Sequence, residues 1–216
     1  MTPSPLLHAE ALDFGLLAPL DLRLDGGECV ALWGPSGSGK TRLLRALADL
    51  DPHRGAVSLA GRPRDHYAGH DWRRHVALLP AEAPWWLETV GEHLAAEVPA
   101  ADLAALGFEP EVLDWQVQRL STGEKQRLAL VRLLHPRGVA GTPAPLDGAP
   151  PPPWVLLLDE PTANLDTRNT ERVERYLADQ RRAGRGLLWV SHDPAQRARV
   201  ADRGYTLRHG RLEEVR

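Results

Sequence analysis

Cysteine is almost absent from this chain. Cys29 is the only one among 216 residues, so no internal disulfide can form and the fold must rest on its own core, as expected in a reducing compartment. Lysine is nearly absent too: of 26 basic residues, only Lys40 and Lys125 are lysines. Where lysine survives against such an arginine bias, its compact ammonium is expected to matter. No apolar run approaches the roughly 18 residues that a spanning helix needs. Residues 1–5 lack the basic n-region and apolar h-region of a signal peptide. The chain is therefore not expected to cross a membrane by itself, and any membrane role requires a partner. The formal net charge of −3 gives no bulk attraction to phosphate backbones. No basic stripe marks a nucleic-acid surface, so no nucleic-acid partner is expected.

Hydrophobic residues make up 43% of the chain, enough for the core of one large domain or of one domain with an inserted lobe. Short apolar or alternating runs predict strands over residues 6–14, 20–24, 29–33, 55–60, 75–79, 155–158 and 187–191, with a terminal hairpin over 205–207 and 211–215. Helical spacing predicts helices over 41–50, 89–96, 100–106, 121–134 and 170–183, the fourth with Ser121 as N-cap. Strands alternating with helices argue for an α/β domain with a largely parallel sheet. Residues 82–134 read as a mostly helical insertion. Residues 138–153 are rich in proline and glycine, and read as a surface loop.

Gly34-Pro35-Ser36-Gly37-Ser38-Gly39-Lys40-Thr41 fits the phosphate-loop pattern, with a buried strand before it and a helix after it. Glycines let successive backbone N–H groups turn inward around phosphates, and the helix N-terminus adds its positive end. Lys40 is expected to reach the β- and γ-phosphates, and the Thr41 hydroxyl to hold Mg²⁺. Val155-Leu156-Leu157-Leu158-Asp159-Glu160 is an apolar strand ending in two carboxylates, at the sheet edge where ligands of parallel sheets bind. Asp159 can hold Mg²⁺, directly or through water. Glu160 can polarise the attacking water. Alone, such an acidic strand end more often caps the following turn; beside a phosphate loop it reads as chemistry.

Leu120-Ser121-Thr122-Gly123-Glu124, followed by Lys125-Gln126-Arg127 and a helix, resembles the signature motif of ATP-binding-cassette (ABC) ATPases, LSGGQ or LSGGE. Asn164-Leu165-Asp166 resembles the family's D-loop, and Ser191-His192-Asp193 its switch-histidine motif. All five motifs stand in the family's order, and the resemblance spans essentially the whole chain. It implies a P-loop NTPase fold with a mostly parallel central sheet, an N-terminal antiparallel β-subdomain and a helical subdomain inserted at about 82–134. It also implies the activity, ATP hydrolysis, and the role, an ABC transporter subunit that powers a separate transmembrane permease from the cytoplasmic face of the cell membrane. ATP and Mg²⁺ are the implied ligands. Two cassettes would pack head to tail, as a homodimer or with a second cassette. Ser121, Gly123, Glu124 and Asp166 would then meet a nucleotide held by the partner's phosphate loop. Glu160, His192 and Lys40 carry the implied catalysis. The alternative role is a soluble ABC ATPase acting in cofactor or complex assembly.

The sequence departs from the family at several points. Thr122 replaces the first signature glycine. The glutamine that follows the strand at 75–79 is missing, since the chain reads Leu79-Pro80-Ala81-Glu82; Glu82 is the candidate substitute near the metal. Phe14 is the one nearby candidate for the aromatic that stacks on adenine, unless it belongs to the core. Trp85 and Trp86 border the region that faces the permease. They read either as anchors for a partner or as packing inside the helical lobe, and two adjacent residues cannot both face one core. Nothing identifies the transported substrate or the direction of transport.

Overall fold

The computed structural model describes residues 4–137 and 152–215. Two sheets meet. In the first, β1 (Leu7–Asp13) lies between β2 (Leu20–Leu24) and β4 (Arg54–Leu59), all antiparallel, with the short β5 (Arg62–Pro63) at the edge. In β2 buried and exposed residues alternate strictly, the pattern of a strand with one face on a core. The register of β1 breaks between Ala9 and Leu12 against β2 and between Glu10 and Asp13 against β4. At this bulge Ala11 adopts φ 46°, and Gly55 on β4 adopts φ 85°. A Cβ on Gly55 would lie 2.2 Å from the Ala11 carbonyl oxygen, so only glycine fits there.

The second sheet has the order β10 (Arg211–Val215), β9 (Arg203–Arg208), β3 (Cys29–Trp33), β8 (Gly186–Val190), β7 (Val155–Asp159), β6 (Val76–Leu79). The inner pairs are parallel, and β10 closes the edge antiparallel. Every residue of β7 and β8 is buried, which is why these strands read as unbroken apolar runs. Their side chains alternate between two cores. Val155, Leu157, Leu188 and Val190 join the first sheet and α1 (Lys40–Leu47) in one. Leu156, Leu158, Leu187 and Trp189 join residues of α3 (Ala100–Ala105), α4 (Thr122–Leu134) and α5 (Thr167–Arg182) in the other. No helix among the described residues is long and apolar enough to cross a membrane.

Two further helices, α2 (Gly69–His75) and α6 (Pro194–Val200), complete the domain; neither is evident from apolar spacing. Conversely, the helix expected over 89–96 is only one 3₁₀ turn, Gly91–His93. Its apolar spacing is real, but the Glu92 carboxylate accepts from the Thr89 N–H and hydroxyl, at 2.7 and 2.9 Å, and His93 is committed to the preceding loop. Two more 3₁₀ turns, Pro110–Asp114 and Val117–Arg119, follow α3. The region before Ser121 is thus less helical than expected. Of the loop expected over 138–153, only Pro152 and Pro153 fall within the described residues.

Candidate functional site

Because β3, β8 and β7 are parallel neighbours, their carboxyl ends present three loops side by side. After β3 comes the phosphate loop. Gly34, Gly37 and Gly39 take φ of 151°, 75° and 101°, conformations that glycine adopts without strain. Lys40, nearly buried, donates from Nζ to the Gly34 and Pro35 carbonyls, both at 3.0 Å. Burial lowers its pKa, opposed by Glu160 and Asp159. Ser38 Oγ is buried without a hydrogen-bond partner. An orphan hydroxyl within a cradle of inward-turned backbone is what a phosphate group would satisfy.

After β7 comes the acidic pair. Asp159 is 4% exposed, and its Oδ2 accepts from the Thr41 hydroxyl at 2.7 Å. Burial is the main cause that raises its pKa, helped by Glu160 and opposed by Thr41, Lys40 and His192. Glu160 adopts φ 50°, a left-handed backbone that costs a non-glycine residue about 1–3 kcal/mol and concentrates at functional sites. Its N–H is held by the Val190 carbonyl at 3.2 Å. After β8 comes Ser191-His192-Asp193. His192 Nε2 lies 3.0 Å from Glu160 Oε1, and both side chains are partly open to solvent. Lys40, Thr41, Asp159, Glu160 and His192, separated by up to 152 positions in sequence, form one cluster.

The remaining expected residues form a second. Ser121, Thr122, Gly123, Asn164, Leu165 and Asp166 line a cleft of about 570 Å³. Ser121 caps α4 reciprocally with Glu124: the Glu124 N–H reaches Ser121 Oγ at 3.3 Å, and the Ser121 N–H reaches the Glu124 carboxylate at 2.8 Å. The Ser121 hydroxyl also donates to that carboxylate and is the largest cause lowering its pKa. Asp166 caps α5 by accepting from the Asn169 N–H at 2.8 Å. A Cβ on Gly123 would come within 3.1 Å of Leu165, so glycine here lets the two loops approach. Under the cleft, Arg127 donates to the Leu106 carbonyl at 2.6 Å and lies 4.5 Å from the Phe108 ring centre. Sequence spacing gave no sign of that support. Among the described residues, no hydrogen bond or ion pair joins the two clusters.

Two expected residues stand apart. Phe14 is 5% exposed and packs in the first core, so it offers no free ring to a base. The side chains nearest the phosphate loop from that segment are Leu16, 48% exposed, and Leu17. Glu82 is exposed on the turn after β6 and makes no hydrogen bond or ion pair with Thr41 or Asp159. The tryptophans divide their roles. Trp85 packs partly into the second core and Trp86 is 66% exposed. The Arg132 guanidinium lies 4.5 Å from the Trp85 ring centre and 5.1 Å from that of Trp86, and donates to the Pro84 carbonyl at 2.6 Å. His93 Nε2 accepts from the Trp86 and Leu87 N–H groups, both at 3.0 Å, so its Nδ1 carries the proton given to the Thr89 carbonyl. Burial lowers the pKa of this imidazole. Trp86 lies on a groove of about 840 Å³ that is also lined by Arg73, Pro80, Leu87, Arg132 and Arg137.

The family model described as "ABC transporter" matches residues 17–137. Hemin import ATP-binding protein HmuV of Nocardia farcinica is 36% identical over 219 residues, covering 91% of this chain and 69% of that protein. Cobalt import ATP-binding protein CbiO of Rhodobacter capsulatus is 34% identical over 234 residues, covering 97% of this chain and 78% of that protein. A solved structure of an ATP-binding subunit of an ABC transporter superposes with TM-score 0.80 at 24% identity, covering 97% of this chain and 90% of that one.

Proposed function

Since the chain belongs to the ABC transporter family as an ATP-binding subunit, we propose that its two clusters are the halves of a composite ATP site completed by a second cassette. The observation that carries this is their separation. Phosphate-loop, acidic and histidine residues converge at one sheet edge, while the signature cluster lines a different cleft. The chain is an ATPase that powers a separate permease.

Lys40 would leave the Gly34 and Pro35 carbonyls for the β- and γ-phosphates, while the loop N–H groups and the Ser38 hydroxyl take the remaining oxygens. Thr41 and Asp159, already 2.7 Å apart, fit the ligand set for Mg²⁺, which when bound would neutralise charge between those phosphates. Glu160 orients and polarises the attacking water. His192, 3.0 Å from it, fixes the carboxylate and faces the γ-phosphate. Ser121, Gly123 and Glu124, with Asp166 beside them, present a helix N-terminus to the nucleotide of the opposite subunit. The work is positioning and charge stabilisation. Glu82 remains the candidate carboxylate for metal-bound water; Glu82→Ala with turnover and coupling unchanged removes it from the site.

We read the chain as one cassette, with residues 82–134 as its helical subdomain. The arginine-lined groove beside Trp86 supports permease docking, at the cytoplasmic face of the membrane. The two relatives are named for hemin and cobalt import, which favours import; the cargo is set by the permease. Glu160→Gln tests the whole: co-purified from gently solubilised membranes with Mg-ATP, it should bring down a closed dimer with one polytopic partner. A variant that stays soluble, with no membrane protein attached, would overturn the transport reading in favour of an assembly role.

A further inference from the structure

One buried side chain ties together, from behind, the loops that carry Glu160 and His192. Gln196, on α6, is 4% exposed. Its Oε1 accepts from the Ser191 hydroxyl at 2.8 Å. Its Nε2 donates to Thr162 Oγ1 and to Glu174 Oε1, each at 2.9 Å. The Thr162 hydroxyl also lies 3.2 Å from Oε1. Ser191 Oγ in turn accepts from the Asp193 N–H at 3.1 Å, so the residues on both sides of His192 are fixed through this one amide. Thr162 stands two residues after Glu160, in the same turn: the Ala163 N–H bonds the Glu160 carbonyl at 3.0 Å. Glu174, only 14% exposed at its side chain, anchors the network to α5, the helix that follows Asp166. An amide can accept from one loop while donating to a second loop and to a helix at the same time.

The left-handed backbone of Glu160 persists only where its surroundings over-determine it. The sheet bond to Val190 fixes it on one side. On the other side, Thr162 is held by Gln196. We propose that Gln196 is a positioning residue that sets the Glu160 turn and the His192 loop in register, so that the two side chains meet. This rests on the catalytic reading of Glu160 and His192. Gln196 touches no reacting group, and its effect is expected in turnover rather than in nucleotide affinity.

The test compares Gln196→Leu, Gln196→Glu and the exchange Gln196→Glu with Glu174→Gln, all in the full chain. Three quantities are measured: single-turnover ATP hydrolysis, equilibrium binding of a fluorescent ATP analogue, and melting temperature. Gln196→Leu should slow hydrolysis by about tenfold or more, with affinity changed by less than about threefold. Gln196→Glu should fail similarly, because it sets two carboxylates against each other where the 2.9 Å bond now lies. The exchange restores a donor facing an acceptor and should recover most of the rate. That recovery is something a merely structural role would not predict, and it decides the matter even if the leucine variant fails to fold. Turnover of Gln196→Leu within about twofold of the parent, or an exchange no better than Gln196→Glu, overturns the proposal. Glu160→Gln runs beside them: if it keeps full turnover, the catalytic reading falls and takes this inference with it. If it loses turnover while Gln196→Leu keeps it, only the inference falls.

Discussion

Asp159→Asn should make the nucleotide-free chain more stable while removing its response to Mg²⁺. The carboxylate is nearly buried, and among the described residues the Thr41 hydroxyl is its one hydrogen-bond donor. An asparagine of the same shape keeps that acceptor, so the bond, worth about 1 kcal/mol, survives the substitution. What disappears is a charge held away from water, and removing it is expected to contribute about 1 kcal/mol or more. For a domain of this size that is a rise of about 2–4 °C in melting temperature. The pH dependence carries the sign. Burial raises the carboxyl pKa in the fold above its unfolded value, so the folded state holds the proton more tightly. Below about pH 4 both states are protonated and the parent pays no penalty. As pH rises through the unfolded and then the folded pKa, the parent loses stability and the gap to the asparagine variant opens; above that window the gap is constant. Thermal melts of both proteins from pH 3.5 to 8, without nucleotide, measure it. Melts with ATP and Mg²⁺ should then stabilise the parent, while the variant loses the part that depends on Mg²⁺. An asparagine variant equal to or less stable than the parent at neutral pH, with no convergence in acid, would refute the burial argument.

Three further outcomes are expected. Ser121→Ala breaks the reciprocal cap of α4 and should cost about 1 kcal/mol, read as a lower urea midpoint; in a Glu160→Gln background, it should also weaken ATP-dependent dimerisation in analytical ultracentrifugation. Gly55→Ala drives a methyl into the Ala11 carbonyl at a positive φ, and should destabilise by about 3 kcal/mol or more; a urea midpoint near the parent's would mean that the β1 bulge has another shape. Arg132→Met removes the cation stacked over Trp85 and Trp86 and the bond to the Pro84 carbonyl. A loss of about 1–2 kcal/mol is expected, with tryptophan emission more readily quenched by acrylamide.

The parts of this molecule legible in the sequence are those governed by local period or by a motif's own chemistry. The strand before the phosphate loop, β3, and the strands β8 and β7 beside it in the sheet are almost wholly buried, and a continuous apolar run is what such strands need. The cap of α4 was readable because Ser121 and Glu124 satisfy each other three residues apart. The helix expected over 89–96 failed for a reason of the same scale: its apolar spacing is helical, but Glu92 folds back onto Thr89 and His93 onto the backbone of Trp86 and Leu87, so side chains take the bonds that a helix would have used. α6 escaped notice because Gln196 is the one fully buried residue of its seven, with Val200 only partly covered, and a buried amide leaves no apolar stripe. Its partners at Thr162, Glu174 and Ser191 come from three other segments, and only the adjacency of β7 and β8 brings them together. The strain at Glu160 has the same origin. A left-handed glutamate after a strand cannot be read from its neighbours in sequence, since what holds it is the Val190 carbonyl on one side and the Gln196 network on the other. A motif names the groups that do chemistry; the contacts that aim them are long-range, and at this site they converge on a residue that belongs to no motif.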